Sequence, residues 1–243
     1  MFAVHSASTS AWLLVLLVAW GALLLGSVVT SCLSRQSRQR MSTWLRLASS
    51  AILVLAAWIW YLVARDTPGV AEFALLIALG MTLGFLGDLL LADALPVKQG
   101  FLAGMAAFAL GHIAYIIAIL SLTPQVQWAV AGIALLVGLA GWYTVVFRGG
   151  KGVMLLRWAA LPYALLLATT AGVAVGLAIQ TPAFSPLALG AALFLASDLL
   201  VAGEQFGRID FPHIDDAVWL TYGPAQMLIV YAVNSALVAA TLH

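Results

Sequence analysis

Charge is what this sequence has least of. Of 243 residues only 8% are Asp, Glu, Lys or Arg, while 64% are hydrophobic and the mean hydropathy is +1.09. A soluble domain carries about 25% charged residues to keep its surface wet. So little charge excludes a water-soluble globule, and the outer surface must face lipid. The formal net charge of +1 gives no basis for a nucleic-acid partner. Cysteine is almost missing too. Cys32 stands alone, so an intramolecular disulfide is excluded and cysteine usage says nothing of redox compartment. Val29-Thr30-Ser31-Cys32 has the look of a lipoprotein cleavage box. Yet no Lys or Arg precedes the first apolar run, only His5, and that run is long enough to span, so it reads as an ordinary first helix.

What is present is long apolar runs. A bilayer core of about 30 Å needs about 20 apolar residues per helix. Such runs fall at 11–32, 44–64, 72–93, 100–121, 126–147, 155–179, 186–204 and 217–239. The expected fold is an all-α, polytopic bundle of about eight transmembrane helices, forming a single transmembrane domain over 1–243. The breaks are short and carry turn signals such as Arg65-Asp66-Thr67-Pro68-Gly69 and Gly149-Gly150-Lys151-Gly152. That leaves no room for an extramembrane domain, so any chemistry must come from the helices and their ends.

Lys and Arg set the expected orientation. The odd-numbered loops and adjoining helix ends hold Arg35, Arg38, Arg40, Arg46, Lys98, Arg148, Lys151, Arg157 and Arg208, and the even-numbered ones only Arg65. Positive-inside bias then places the odd loops in the cytoplasm and both termini outside it. A faint internal echo joins GFLGDLLLAD (84–93) to LFLASDLLVAGE (193–204). Four helices apart, these run the same way through the membrane, as in two parallel four-helix halves.

The residues the bilayer penalises are the informative ones. An ionisable group at mid-span costs at least about 2.5–3.5 kcal/mol and normally faces the bundle interior or a water-filled cavity. Asp88, His112 and Asp198 fit strongly. Asp88 lies five residues before Asp93, and Asp198 six before Glu204, each of those closing its helix at the same face. At 1.5 Å per residue both acids sit about 8–9 Å in from that boundary. Two acids at one depth can share a cavity, where a neutral carboxyl gives a proton while its ionised partner activates water. They can equally line an ion or proton path, or tie helices together by hydrogen bonds. Tyr115 shares a face with His112, and Tyr222 and Gln226 form an i, i+4 polar pair. Arg46 and Arg157 begin helices near the level of the acids, as interfacial anchors or as a clamp for a lipid phosphate. The stretch Asp210-Phe211-Pro212-His213-Ile214-Asp215-Asp216 has metal-ligand residue types, but it is short and polar and reads as a solvated turn, with no metal expected.

These segments, taken in order, resemble the lysoplasmalogenase family of membrane hydrolases, also called the YhhN family. The matching pieces are Gly87-Asp88 in GFLGDLLL, Phe108-x3-His112-x2-Tyr115 in FALGHIAY, Ser197-Asp198 in FLASDLLV, and Tyr222-x2-Ala225-Gln226 in YGPAQMLI. Where the family often has a Lys-Pro pair at the start of the second helix, Arg46-Leu47 stands here. The resemblance implies hydrolysis of the vinyl-ether bond of a lysoplasmalogen, giving a fatty aldehyde and a glycerophospho-alcohol. Asp88 and Asp198 would be catalytic, His112, Tyr115, Ser197, Tyr222 and Gln226 supporting, and Arg46 and Arg157 at the phosphate. Such chemistry needs no nucleophilic serine, metal or cofactor; the partners are a lysophospholipid and the bilayer. Two other uses of paired membrane acids compete. An intramembrane aspartyl protease is disfavoured because its Tyr-Asp and Gly-x-Gly-Asp motifs are not met. A proton-coupled or lipid transporter would use the same acids but calls for alternating access and a broken helix at mid-membrane.

Overall fold

With no water in the bilayer core, every backbone N–H and C=O must find its partner within the chain, so apolar runs become helices. The computed structural model describes residues 7–33, 37–149 and 151–241; His5, Arg35 and Gly150 lie outside them. The helices are α1 (Ala7–Leu33), α2 (Ser37–Ala64), α3 (Val70–Leu91), α4 (Gly100–Leu122), α5 (Trp128–Gly141), α6 (Met154–Gln180), α7 (Ser185–Gln205) and α8 (Ile214–Ala240). All eight spans are long and apolar enough to cross a membrane, α5 by including the turn that follows it, and no strand occurs among the described residues.

Several boundaries differ from the sequence expectation; α2 already starts at Ser37, so Arg46 lies nine residues inside it and does not begin it. The fifth run does not continue as an α-helix to 147: Trp142–Phe147 is a π-helix, in which the Arg148 N–H reaches back five residues to the Tyr143 carbonyl at 3.0 Å. Its wider turn carries Trp142 and Val146 inward together, against Ala160 and Phe206. The third helix ends at Leu91, and Asp93 lies beyond it in a left-handed turn with φ 51°. The stretch 210–216 is not wholly a solvated turn. After a left-handed His213 (φ 67°), α8 starts at Ile214, and that start turns Asp216 into the bundle, where it is buried.

Helices α2, α3, α4, α6, α7 and α8 pack in a closed ring, with α8 also crossing to α3; α1 lies outside α2 and α8, and α5 outside α6. The pairings α1–α2, α2–α3, α3–α4 and α4–α6 recur four helices later as α5–α6, α6–α7, α7–α8 and α8–α2. Two like four-helix halves running the same way produce this pattern.

The two ends of the ring are packed differently. Toward the end bearing Arg65, large side chains fill the centre: Trp60, Phe73, Ile119, Leu177 and Leu187 are almost wholly buried, and Phe73 meets Phe184 edge-on. The end carrying the other described Lys and Arg residues, the basic end, is held by aromatics lying over glycines. There a Cβ at Gly87 would fall 2.6 Å from the Phe108 ring, and at mid-span the Tyr115 ring occupies the place of a side chain at Gly80. Those glycines let α3 and α4 approach closely, in the manner of small-residue membrane interfaces. Inside the basic end the ring does not fill. It leaves a cavity.

Candidate active site

The cavity has a volume of about 620 Å³, within the usual range for small-molecule sites, and lies between the basic-end halves of α2 to α8. Both aspartates line it, Asp88 from the last turn of α3 and Asp198 from the last two turns of α7. Asp88 is buried and accepts a 2.5 Å hydrogen bond from Ser50 Oγ on α2. The Tyr222 hydroxyl is also within hydrogen-bonding reach of it. Ser50 contacts Gln226 Oε1 at 3.3 Å, and Gln226 Nε2 donates to the Tyr222 hydroxyl, closing a polar chain around one carboxyl. Asp198 is half-buried and accepts from the Tyr163 hydroxyl on α6. The two carboxyl groups are near enough to interact electrostatically. Each acid is thus held by a hydroxyl donor from the preceding helix, Ser50 for α3 and Tyr163 for α7.

An aromatic layer backs the site. Phe108, Phe194 and Tyr222 meet edge-to-face with centroids 5.1–6.2 Å apart, and His112 stands 4.6 Å from Phe194. His112 and Tyr115 lie behind this layer and do not line the cavity. His112 Nδ1 is 3.0 Å from Thr170 Oγ1, while its Nε2 and the Tyr115 hydroxyl are buried without a protein partner. Ser197 lines the cavity next to Asp198, and its Oγ donates to the Val218 carbonyl at 3.2 Å, tying α7 to α8.

The two arginines part company. Arg46 lines the cavity, exactly one i, i+4 step before Ser50 and so about 6 Å nearer the basic end than the Asp88 partner. It is buried and pairs with Asp216, which also accepts from Ser31 Oγ at 2.9 Å; its Nε has no partner, and its guanidinium stands 5.9 Å from the Trp219 ring centre. Arg157 does not line the cavity. Its terminal nitrogens donate to backbone carbonyls, Phe147 at 3.3 Å and Lys151 at 3.0 Å, where the π-helix ends, and its Nε, like that of Arg46, has no partner.

Three residues at or behind the site escaped the sequence reading, Ser50, Tyr163 and Thr170, and a fourth, Asp216, was read there as part of a solvated turn. Two left a signal there. Arg46 and Ser50 have helical spacing on one face, and Tyr163 follows Pro162, a helix-interior proline that frees the carbonyl four residues back. Among the described residues no group of three or more His, Cys, Asp or Glu side chains is placed to hold a metal ion.

Eight apolar helices around an acid-lined cavity at one end define a multi-pass membrane protein with a buried polar site. The chain belongs to the YhhN family, whose family model matches residues 41–233. That match runs from α2 into α8 and takes in Asp88, Asp198, Arg46, Ser50, Tyr163 and the aromatic layer. No curated protein and no solved structure matches the chain.

Proposed function

We propose that this protein hydrolyses the vinyl-ether bond of lysoplasmalogens, with Asp88 and Asp198 as the acid–base pair. The observation that carries the reading is that both carboxyl groups line one cavity, with Arg46 one helical turn nearer the membrane surface. Family membership supports the reaction class. A vinyl ether R–CH=CH–O–R′ is cleaved by protonation of its outer alkene carbon, which leaves an oxocarbenium ion on the carbon bonded to oxygen. Water adds to that carbon and loses a proton, and the hemiacetal collapses to the aldehyde R–CH2–CHO and the alcohol HO–R′. One aspartic acid supplies the first proton. Its ionised partner stabilises the cation, orients the water and takes the second proton. Glycosidases meet the same demand with two carboxyl groups flanking an oxocarbenium-like state. Ser50 and Tyr163 orient the two carboxyls, and Tyr222 and Gln226 hold the surroundings of Asp88.

Arg46 is the residue for the substrate phosphate, since it lines the cavity toward the basic end, where a cation suits an anionic oxygen. Arg157 is left out of the role because it does not line the cavity and its two terminal nitrogens donate to backbone carbonyls. The basic end faces the cytoplasm, as the charge bias requires. Transport through the same acids would need a second opening, whereas the half beyond them is filled by Trp60, Phe73, Leu177 and their neighbours. Purified protein given a defined lysoplasmalogen is expected to release fatty aldehyde and glycerophospho-alcohol in equal amounts. Absence of aldehyde from the wild type across choline and ethanolamine substrates would reject the reading.

A further inference from the structure

The cavity is not closed on all sides. Ala192, Ala196 and Leu199 of α7 and Val137 of α5 all line it and are exposed, so the cavity is open beside them, on helices long and apolar enough to cross a membrane. The α-helical part of α5 packs on α6 and comes near α7 only at its last residue, Gly141, beside Leu199; the π-helical end that follows packs on α7. Between α5 and α7, over α6, there is therefore a slot that joins the acid pair to the surrounding bilayer. Its floor is apolar, and Leu167, one turn beyond Tyr163, lies along it. Its far end is deep. Ala192 precedes Asp198 by six residues, about 9 Å farther from the basic end at 1.5 Å per residue.

Resting on the hydrolase reading above, we propose that this slot receives the hydrocarbon chain of the substrate, and that Gly141 and Ala192 set its width and its length. The direction fits one single-chain lipid lying in order: phosphate toward Arg46, vinyl ether between the aspartates, chain running inward between α5 and α7. Gly141 stands at the entrance. Its backbone is ordinary right-handed helix (φ −59°, ψ −51°), so a side chain is tolerated there, and the nearest atom to a Cβ would be Leu199 Cδ1 at 3.6 Å. A Cβ there would just touch Leu199, and a larger side chain would project into the slot beside Asp198. Ala192 is small at the far end, where only a long chain arrives.

The test separates the two positions. Gly141→Leu should lower kcat/KM for short-chain and long-chain lysoplasmalogens alike. Ala192→Trp should lower it for the long-chain substrate by about tenfold or more and spare the short one relatively, since a methylene more or less in an apolar pocket is worth about 10–200-fold. Leu136→Trp, on the outer face of α5 and away from the cavity, serves as the control for added bulk. Equal effects of Ala192→Trp on both substrates, or none, would overturn the proposal. A second arm needs no hydrolysis: a lysophosphatidylcholine with a diazirine near its chain end should label peptides of α5 and α7, less so in Ala192→Trp. Labelling elsewhere, or a tightly held two-chain phospholipid that substrate does not displace, would also overturn it. If the wild type releases no aldehyde but labels the slot, the hydrolase reading fails and the slot remains a binding site for a lipid chain.

Discussion

Arg46 carries two demands at once. It is buried with Asp216, and breaking such a pair by removing one partner costs about 3–5 kcal/mol because a lone charge is left inside. It also lines the cavity. The two roles can be separated. Arg46→Ala should raise KM with little change in kcat, since it removes binding common to ground and transition states, and should lower thermal stability. Adding Asp216→Ala removes the orphaned charge, so stability should partly return while KM stays high. Recovery of KM together with stability would mean that Arg46 is structural only. At this scale the acids were legible because charge in a membrane span is costly and rare. Ser50 and Tyr163 were not, because serine and tyrosine are common in apolar helices and nothing local says which ones meet a carboxyl. Asp216 was misjudged because it stands among polar neighbours, and only the start of α8 at Ile214 turns it inward.

The helices themselves were located by length and hydropathy, since the bilayer sets a minimum span that the sequence must honour. What hydropathy cannot convey is which face of each helix packs. Lipid tails are as apolar as leucine, so no polar stripe marks the outside. The ring order and the sideways slot between α5 and α7 were therefore invisible, as was the π-helix, which depends on Trp142 and Val146 finding Ala160 and Phe206. Small residues do hold part of that information. The contact of α3 with α4 rests on Phe108 lying over Gly87. Gly87→Ala should lower the thermal stability of the detergent-solubilised protein by about 1–3 kcal/mol, the usual cost of overpacking. It should also disturb the aromatic layer behind Asp88. An unchanged unfolding midpoint would contradict the close approach of these helices.

Over the whole molecule, charge placement predicts that the basic end is cytoplasmic and both termini are outside. In a Cys32→Ala background, cysteine at the exposed Thr241 should react with an impermeant reagent on intact cells, whereas labelling only after permeabilisation would invert the molecule. The echo between the third and seventh helices was legible as a faint repeat, and the recurring helix pairings give it a shape: each half delivers one aspartate to a shared cavity and holds it with a hydroxyl from the preceding helix. That convergence is the central claim, because the chemistry needs both carboxyls at one substrate. The most direct measurement is aldehyde release from a lysoplasmalogen by the wild type, Asp88→Asn, Asp198→Asn and the double variant, each checked for folding by thermal unfolding. Asparagine keeps the size and much of the hydrogen bonding but can neither give the acid's proton nor carry its charge. Each single variant should lose at least about 10²–10⁴-fold in kcat, and the double variant little more, as expected of residues acting as one unit. Folded single variants with near-normal activity, or losses that multiply in the double variant, would contradict a shared acid–base site.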